Sequence, residues 1–174
     1  MTVKAILSRK GNAVITIEPT VPLCDAVKIL DEHRIGAAVI TDADQHIVGI
    51  LSERDIVRTL ARNIRVAGAC QLCDEPVGQV MTREVETCTQ SDTIHEIMER
   101  MTAGKFRHLP VVERGRLVGI VSIGDAVNYR LREMELESNA MHVHLDGLMG
   151  LAALPSGEVD CRSVRRGADC SKVI

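Results

Sequence analysis

The sequence contains almost no aromatic residues. Its 174 residues include one Tyr, one Phe and no Trp. Proteins that hold single-stranded nucleic acids stack the bases on aromatic side chains, and two isolated rings cannot form such a platform. The chain also lacks the basic excess that binding to phosphate backbones requires, because its formal net charge is -3. We therefore expect no nucleic acid among its partners.

Long hydrophobic runs are missing as well. No segment approaches the roughly 18 consecutive apolar residues of a membrane span, and residues 1–10 are too polar for a signal peptide. The composition, 45% apolar and 26% charged, is typical of a globular protein. We expect a cytoplasmic protein without a membrane partner.

The sequence shows no catalytic or complete metal motif. Ser/His/Asp, His-Glu-x-x-His and phosphate-loop patterns are absent, so we expect no enzyme, no catalytic cofactor and no metal. The six cysteines are scattered along a chain long enough to bury a core, which favours free thiols. Cys70 and Cys73 have the spacing of a redox pair or half a zinc site, so a redox- or metal-responsive interaction protein remains an alternative.

The most informative feature is an internal duplication. The segment at residues 49–55, GILSERD, recurs at residues 119–125 as GIVSIGD. Each copy is preceded by apolar residues at helical spacing, namely Leu23, Ala26, Val27 and Leu30 in the first and Ile94, Ile97, Met98 and Met101 in the second. The segment at the beginning of each unit, which we call its lead-in, also matches, because Val3, Ile6 and Leu7 correspond to Val77, Val80 and Met81. The chain is therefore built from two similar units.

The residue pattern of each unit predicts a strand, a helix, a second strand, a turn, a third strand and a second helix, in that order. The predicted elements are residues 14–18, 22–34, 37–41, 47–51 and 52–62, then 85–88, 92–103, 107–112, 117–121 and 122–137. The fold class is α/β (α+β), a small sheet covered by helices, made twice. Neither copy of about 50 residues buries enough surface alone, so the two should pack as a pseudo-twofold pair.

The predicted organisation has four parts. Residues 1–62 form the first repeat, 63–76 a linker and 77–137 the second repeat. Residues 138–174 form a tail that begins as a helix and ends loose or disordered. The run Ser138-Asn139-Ala140 also resembles the scar of an expression tag.

The duplicated pattern resembles a tandem pair of CBS domains, also called a Bateman module. The resemblance covers residues 3–137 and is carried by two Gly-hydrophobic-x-Ser-x-x-Asp turns, each ending a hydrophobic hairpin and opening a helix. It implies a regulatory protein that binds an adenosine ligand (AMP, ADP, ATP, NAD(H) or S-adenosylmethionine) between the repeats. It further implies a homodimer and an effector protein that the sequence does not identify. A purely structural dimerisation module with vestigial sites is the other alternative.

The residues of the two turns fit two interpretations. Ser52 with Asp55, and Ser122 with Asp125, match the capping box that closes a helix N-terminus. The same geometry also suits a nucleotide, because free amides at a helix start attract phosphate and a carboxylate accepts hydrogen bonds from a ribose diol. Gly119 would let a backbone approach the ligand closely.

The two turns differ in charge. The second has Ile123 where the first has Glu53, whose negative charge opposes a phosphate, although Arg54 offsets it. We therefore expect the second turn to be the stronger site. Only the second repeat carries Arg107 and His108 at its hairpin entrance, and these side chains suit phosphate oxygens. The sequence does not tell which turn they serve.

A further set of candidates comes from the resemblance alone. Thr16, Ile17 and Thr87 occupy the strand that lines the adenine in the family. Ordinary packing of an edge strand explains these residues equally well. The candidate ligand-binding residues are thus Thr16, Ile17, Ser52, Arg54, Asp55, Thr87, Arg107, His108, Gly119, Ser122, Ile123 and Asp125.

Overall fold

The computed structural model describes residues 1–63 and 73–149, with side chains for residues 1–62 and 73–136. Residues 1–133 form one compact unit that contains both repeats, and residues 134–149 do not belong to it. The elements are α1 (Val3–Lys10), β1 (Thr16–Ile17), α2 (Leu23–His33), β2 (Ala37–Thr41), β3 (Ile47–Ser52), α3 (Glu53–Asn63), α4 (Val77–Val80), α5 (Ile94–Gly104), β4 (His108–Glu113), β5 (Arg116–Ser122) and α6 (Ile123–Met149). The helix α6 thus continues beyond the end predicted for the second repeat, and the tail after residue 149 lies outside the described residues.

Each repeat is built on an antiparallel hairpin. In the first repeat β2 pairs with β3, and the short β1 joins β2 in parallel. In the second repeat β4 pairs with β5, and the predicted strand at 85–88 contracts to one bridge between Cys88 and Val111. The cause is Pro110, because it has no N–H to continue the ladder, whereas its counterpart Val39 donates to Ile15.

The two lead-in helices exchange places between the repeats. Val3 and Leu7 of α1 are buried among side chains of the second repeat, together with Leu109 and Val121. Conversely, Val77 of α4 is buried in the cluster of the first repeat, which also contains these residues: Ile17, Leu23, Ala26, Leu30, Ala38, Ile40, Leu51 and Met81. The core of each repeat is therefore completed by the lead-in helix of the other repeat.

Backbone hydrogen bonds fix this exchange in a symmetric way. Val3 N donates to Asp92 O at 2.9 Å, and the counterpart Val77 N donates to Val21 O at 2.9 Å. Leu23 N donates to Glu75 O at 2.8 Å, as Ile94 N donates to Met1 O at 3.1 Å. The matching pairs confirm the predicted pseudo-twofold packing.

The motif glycines make room for the exchanged segments. A Cβ on Gly119 would lie 2.8 Å from Leu7 Cδ2, and one on Gly49 would collide with the side chain of Met81. In both cases the added Cβ would lie closer to its neighbour than real Cβ atoms do. The close approach that these glycines permit is thus an approach of protein side chains, rather than the ligand approach that the sequence suggested for Gly119.

The lead-in helices differ in length. The longer α1 runs to Lys10 and is closed by Gly11, which has a φ of 91° and donates its N–H to Leu7 O at 2.9 Å. The shorter α4 ends at Val80, after which Thr82 and Ile50 exchange two backbone hydrogen bonds of 2.9 Å. The chain after α4 therefore runs along β3, while α1 stays helical.

The expectation that all cysteines are free thiols is wrong for two of them. Cys24 and Cys73 form a disulfide with a Cα–Cα distance of 4.6 Å. The backbone explains the pairing, because Cys24 N donates to Cys73 O and Pro22 bridges to Pro76. Cys88 is a buried free thiol, and burial raises its pKa to about 12. Cys70, the other half of the predicted pair, lies outside the described residues.

Candidate ligand site between the repeats

The first Ser-x-x-Asp turn leaves one carboxylate oxygen weakly bonded. Asp55 Oδ2 accepts from Ser52 N at 2.9 Å and from Ser52 Oγ at 2.5 Å, as the capping interpretation predicts. Its other oxygen, Oδ1, accepts a long hydrogen bond of 3.3 Å from Thr82 Oγ1. Asp55 can therefore close α3 and still offer acceptor capacity to a ligand.

This carboxylate faces a cavity of about 410 Å³ between the two repeats. The volume lies within the range of about 300–1,000 Å³ that is usual for small-molecule sites. One wall comes from the first repeat and the other from the second. The lining residues are Gly36, Ile50, Ser52, Arg54, Asp55, Arg58, Thr82, Glu84, Val85, Glu86, Gly104, Lys105, Phe106, Arg107 and His108.

The cavity gathers basic groups from both repeats. Arg54 crosses to the second repeat, where its Nη1 donates to Lys105 O at the left-handed end of α5. Arg107 approaches from that repeat, with its Nη2 4.0 Å from Glu53 Oε2 and 56% of its side chain exposed. A contact this long and this exposed holds the guanidinium weakly. Arg107 therefore remains available to an anion in the cavity.

His108 lies on the inner side of this wall, against Gly36 of the first repeat. Burial, followed by the charge of Arg107, lowers the pKa of its imidazole below the ordinary 6.5. Asp125 and Glu53 act in the opposite direction, while Lys10 adds to the lowering. His108 is therefore neutral at pH 7 and can donate one hydrogen bond from its ring.

At the second Ser-x-x-Asp turn a lysine shares the carboxylate oxygen that closes the helix start. Asp125 Oδ2 accepts from Ser122 N at 2.8 Å and from Ser122 Oγ at 2.9 Å, and Asp125 N donates to Ser122 Oγ at 3.1 Å. Lys10 Nζ is bound to the same Oδ2 at 2.6 Å. Burial opposes ionisation of Asp125, but the bonds from Lys10 and Ser122 outweigh it, so its pKa is lowered.

The cavity at the second turn is smaller, about 260 Å³. Its lining residues are Ile6, Arg9, Lys10, Asp125, Asn128, Tyr129 and Arg132. The side chains that the sequence analysis associated with phosphate, Arg107 and His108, line the first cavity and not this one.

The structure thus brings together five of the predicted residues. Ser52, Arg54, Asp55, Arg107 and His108 line one cavity. The remaining predicted residues lie elsewhere. Ser122 and Asp125 close the start of α6, and the Ile123 amide donates to Arg107 O. Gly119 packs against Leu7, and Ile17 is a core residue. Thr16 is exposed, and the carbonyl of Thr87 accepts a hydrogen bond from Arg100.

Sequence reasoning missed several residues of the cavity. Arg58 could have been found, because it follows Arg54 by four positions and so shares its face of the helix. Thr82, Glu84 and Lys105 carried no signal, since their presence depends on how the second repeat packs against the first.

Within residues 1–63 and 73–149, no group of three or more His, Cys, Asp or Glu side chains could hold a metal ion. None of the helices described is both long and apolar enough to cross a membrane.

Comparison with known proteins gives a consistent match. The family model of the CBS domain matches residues 3–62 and 77–132. A CBS-domain-containing protein from Agrobacterium tumefaciens is 46% identical, with a TM-score of 0.69 over 74% of this chain and 92% of that one. A CBS-domain protein from Pyrobaculum aerophilum, solved with AMP, is 29% identical, with a TM-score of 0.61 over 72% and 89%. The CBS pair of protein MJ0100, solved with 5′-methylthioadenosine and S-adenosyl-L-methionine, is 28% identical, with a TM-score of 0.65 over 76% and 98%.

The curated relatives extend beyond the matched region. An uncharacterised 17.7 kDa protein from Acidianus ambivalens is 35% identical over 113 residues, which is 64% of this chain and 64% of that protein. A CBS-domain-containing protein from Arabidopsis thaliana matches over only 23% of its own length. The chain thus spans less than two thirds of these two relatives.

Proposed function

The chain belongs to the CBS-domain family, and on that premise we propose that it is a regulatory module that binds an adenine nucleotide in the cavity at Asp55. Occupation of this cavity would change how the two repeats pack, and an effector protein would respond to that change. This assignment favours the first turn over the second, the reverse of the preference that the sequence suggested.

One observation carries the proposal. A carboxylate with spare acceptor capacity, the start of α3 and the guanidinium of Arg107 face a single cavity. Asp55 would accept hydrogen bonds from the ribose diol, because an ionised carboxylate is a strong acceptor for two neighbouring hydroxyls. The amides at the start of α3, with Arg107, would hold the phosphate.

The charges of the cavity favour a phosphorylated ligand. AMP is bound by the Pyrobaculum neighbour, and S-adenosylmethionine with methylthioadenosine by protein MJ0100. Both therefore support the adenosine class. In this chain four cations line the cavity, namely Arg54, Arg58, Lys105 and Arg107, and so do three carboxylates, namely Asp55, Glu84 and Glu86. The excess of one positive charge favours phosphates over the positive sulfonium of S-adenosylmethionine, so we rank AMP, ADP, ATP and NAD(H) above it.

Calorimetric titration with AMP tests the ribose assignment. Asp55→Ala should weaken AMP binding roughly ten- to a hundredfold, because hydrogen bonds to a charged group contribute about 1.5–3 kcal/mol. Asp125→Ala is the matched control and should leave this affinity nearly unchanged. Equal affinities of wild type and Asp55→Ala would contradict the assignment.

A comparison of AMP with adenosine tests the phosphate assignment. Arg107→Ala should weaken AMP far more than adenosine, because only the charged oxygens gain from the guanidinium. AMP binding should also weaken as salt rises, since Arg107 is more than half exposed and its charge is screened. An equal shift for both ligands would contradict the role of Arg107 while leaving the ribose contact standing.

We also propose that the module forms a homodimer through α3 and the beginning of α6. These helices expose Val57, Leu60, Val127 and Leu131 by 38–62%, and a contact between two copies would bury such apolar surface. Ile56 and Ala126 do not belong to this surface, because both pack inside the repeats. In analytical ultracentrifugation the chain, which has a mass of 19.0 kDa, should sediment as a dimer at micromolar concentration. Val57→Asp should shift it to the monomer, and a monomeric wild type would contradict the dimer.

A further inference from the structure

The two lead-in segments place opposite charges at corresponding positions. With Val3 aligned on Val77, Lys10 corresponds to Glu84. Because the segments are exchanged, each of these residues lies beside the Ser-x-x-Asp turn of the other repeat. Lys10 therefore reaches Asp125, whereas Glu84 lines the cavity of Asp55.

Lys10 is bound to one of the two carboxylate oxygens that a ribose diol would use. Its Nζ is 2.6 Å from Asp125 Oδ2, an oxygen that already accepts two hydrogen bonds from Ser122. The side chains of Lys10 and Asp125 are only 32% and 26% exposed, so solvent screens the pair incompletely. A ribose diol that binds both oxygens of Asp125 would have to displace this charged amine.

The first turn has no equivalent of this amine. Glu84 has the same charge as Asp55 and cannot pair with it. The segment after α4 leaves the helix at Val80, so it presents Thr82 to Asp55 instead, at 3.3 Å. The contrast therefore arises from the length of the lead-in helix together with the residue at its end.

We propose that Lys10 acts as an internal occupant of the second turn and restricts the module to one adenine nucleotide, bound at the first turn. Helix α1 delivers this occupant from the first repeat. The proposal rests on the nucleotide binding proposed above and adds a residue that sets the number of ligands.

The cavities agree with a single site. At about 260 Å³ the second cavity falls below the usual lower bound of about 300 Å³ for a ligand site. The helix positions that carry Arg54 and Arg58 at the first turn hold Gly124 and Asn128 at the second. Arg9 and Arg132 supply positive charge to the second cavity from other positions, so a phosphate could be held there once the diol acceptor is released.

The number of AMP molecules bound per chain tests the proposal. The wild type should bind one, Lys10→Ala two, and the double variant Lys10→Ala/Asp125→Ala one again, in titrations that reach millimolar AMP. Lys28→Ala removes a surface lysine that pairs with Asp25 and is the matched control, with an unchanged count. A count that does not rise in Lys10→Ala overturns the proposal, whatever the wild-type count is. A wild type that binds no AMP contradicts the proposed function instead.

A second measurement needs no nucleotide. The carboxyl pKa of Asp125, followed by NMR, should rise when Lys10 is replaced by Ala, because the bond that favours the ionised form is lost. An unchanged Asp125 titration would mean that Lys10 does not occupy the turn in solution, and the proposal would be wrong.

Discussion

The two repeats follow the same chain path, but they present their Ser-x-x-Asp turns differently. At the first repeat the turn opens into a cavity that basic side chains of the second repeat help to line. At the second repeat the corresponding carboxylate is paired with Lys10 through one of its two oxygens. In both turns the Asp carboxylate accepts from the amide and the hydroxyl of the Ser, and the second turn adds a bond from Asp125 N to Ser122 Oγ. The comparison teaches that the turn sets the helix start, while a segment from the other repeat decides whether a ligand can reach it.

The repeats also differ in how each is held together. The first has a short parallel strand β1 and the Cys24–Cys73 disulfide, which ties α2 to the segment preceding α4. The second has a single bridge at Cys88 and a capping box at the start of α5. These differences allow each repeat to be perturbed separately.

The largest expected effect comes from cutting the exchanged core contact. Leu7→Ala should lower the free energy of unfolding by about 2–5 kcal/mol, as truncations of buried leucines do. Although Leu7 belongs to the first repeat, amide protection should fall first in β4 and β5, because Leu7 is packed in the core of the second. Hydrogen exchange by mass spectrometry checks this. Met81→Ala is the mirror variant and should reduce protection in β2 and β3, and a loss confined to β2 and β3 in Leu7→Ala would contradict the exchange.

Removal of the disulfide should lower the free energy of unfolding by nearly as much. The contacts that it weakens belong to the first repeat. Cys24→Ser should lower the free energy of unfolding by about 2–4 kcal/mol, because the bond closes a loop between residues 49 positions apart and restricts the unfolded chain. Urea unfolding with and without a thiol reductant measures the effect. The stability of Cys24→Ser should not respond to the reductant, and this variant is therefore the control for other effects of the thiol. Equal stability of the oxidised and reduced wild type would show that the bond does not form in solution.

The capping box of α5 should contribute less. Thr93 Oγ1 accepts from Glu96 N at 3.2 Å, and Glu96 Oε2 accepts from Thr93 N at 2.8 Å. Thr93→Ala should lower the free energy of unfolding by about 1 kcal/mol in thermal or urea denaturation. Thr102→Ala is the same chemical change on the same helix, where Thr102 Oγ1 donates back to Met98 O. It should be neutral or slightly stabilising, because Ala has the higher helix propensity. Equal losses in both variants would argue against the cap.

The smallest effect is a pH dependence that belongs to the second repeat. Burial lowers the pKa of His108 below the ordinary 6.5, so the unfolded chain binds a proton at a higher pH than the native one does. Stability should therefore decline as the pH falls through 6.5, and it should decline less in His108→Gln. Urea unfolding at pH 7.5 and 5.5 measures the difference. Arg107 and Lys10 strengthen this dependence, while Glu53 and Asp125 oppose it. Identical slopes for wild type and variant would contradict the shift.

Local patterns were enough to predict most elements. The strand predicted at 37–41 agrees with β2, and the turn predicted between the strands at 107–112 and 117–121 is present, with Gly115 at a φ of 76°. The match of Val3, Ile6 and Leu7 with Val77, Val80 and Met81 indicated a repeated segment, but no helix was predicted where α1 and α4 lie. The match carried no information on which core would receive each segment, because both cores are aliphatic.

The candidate site was predictable only in part, for the same reason. Residue chemistry identified Ser52, Asp55, Arg107 and His108, all of which line the cavity. The preference for Asp125 could not foresee Lys10, because a contact between residues 115 positions apart depends on the packing of α1. The pairing of Cys24 with Cys73 was hidden in the same way, since it depends on how the segment before α4 docks on α2.

The reciprocal exchange of α1 and α4 gives this single polypeptide the connectivity of a domain-swapped dimer. A lone repeat would have to borrow its lead-in helix from a second molecule, and its stability would then rise and fall with protein concentration. Covalent fusion replaces that association by an intramolecular one, at an effective concentration on the order of millimolar for a short tether. Folding of the pair becomes independent of dilution, and either half can acquire substitutions, such as the lysine at position 10, whose effect is felt in the other.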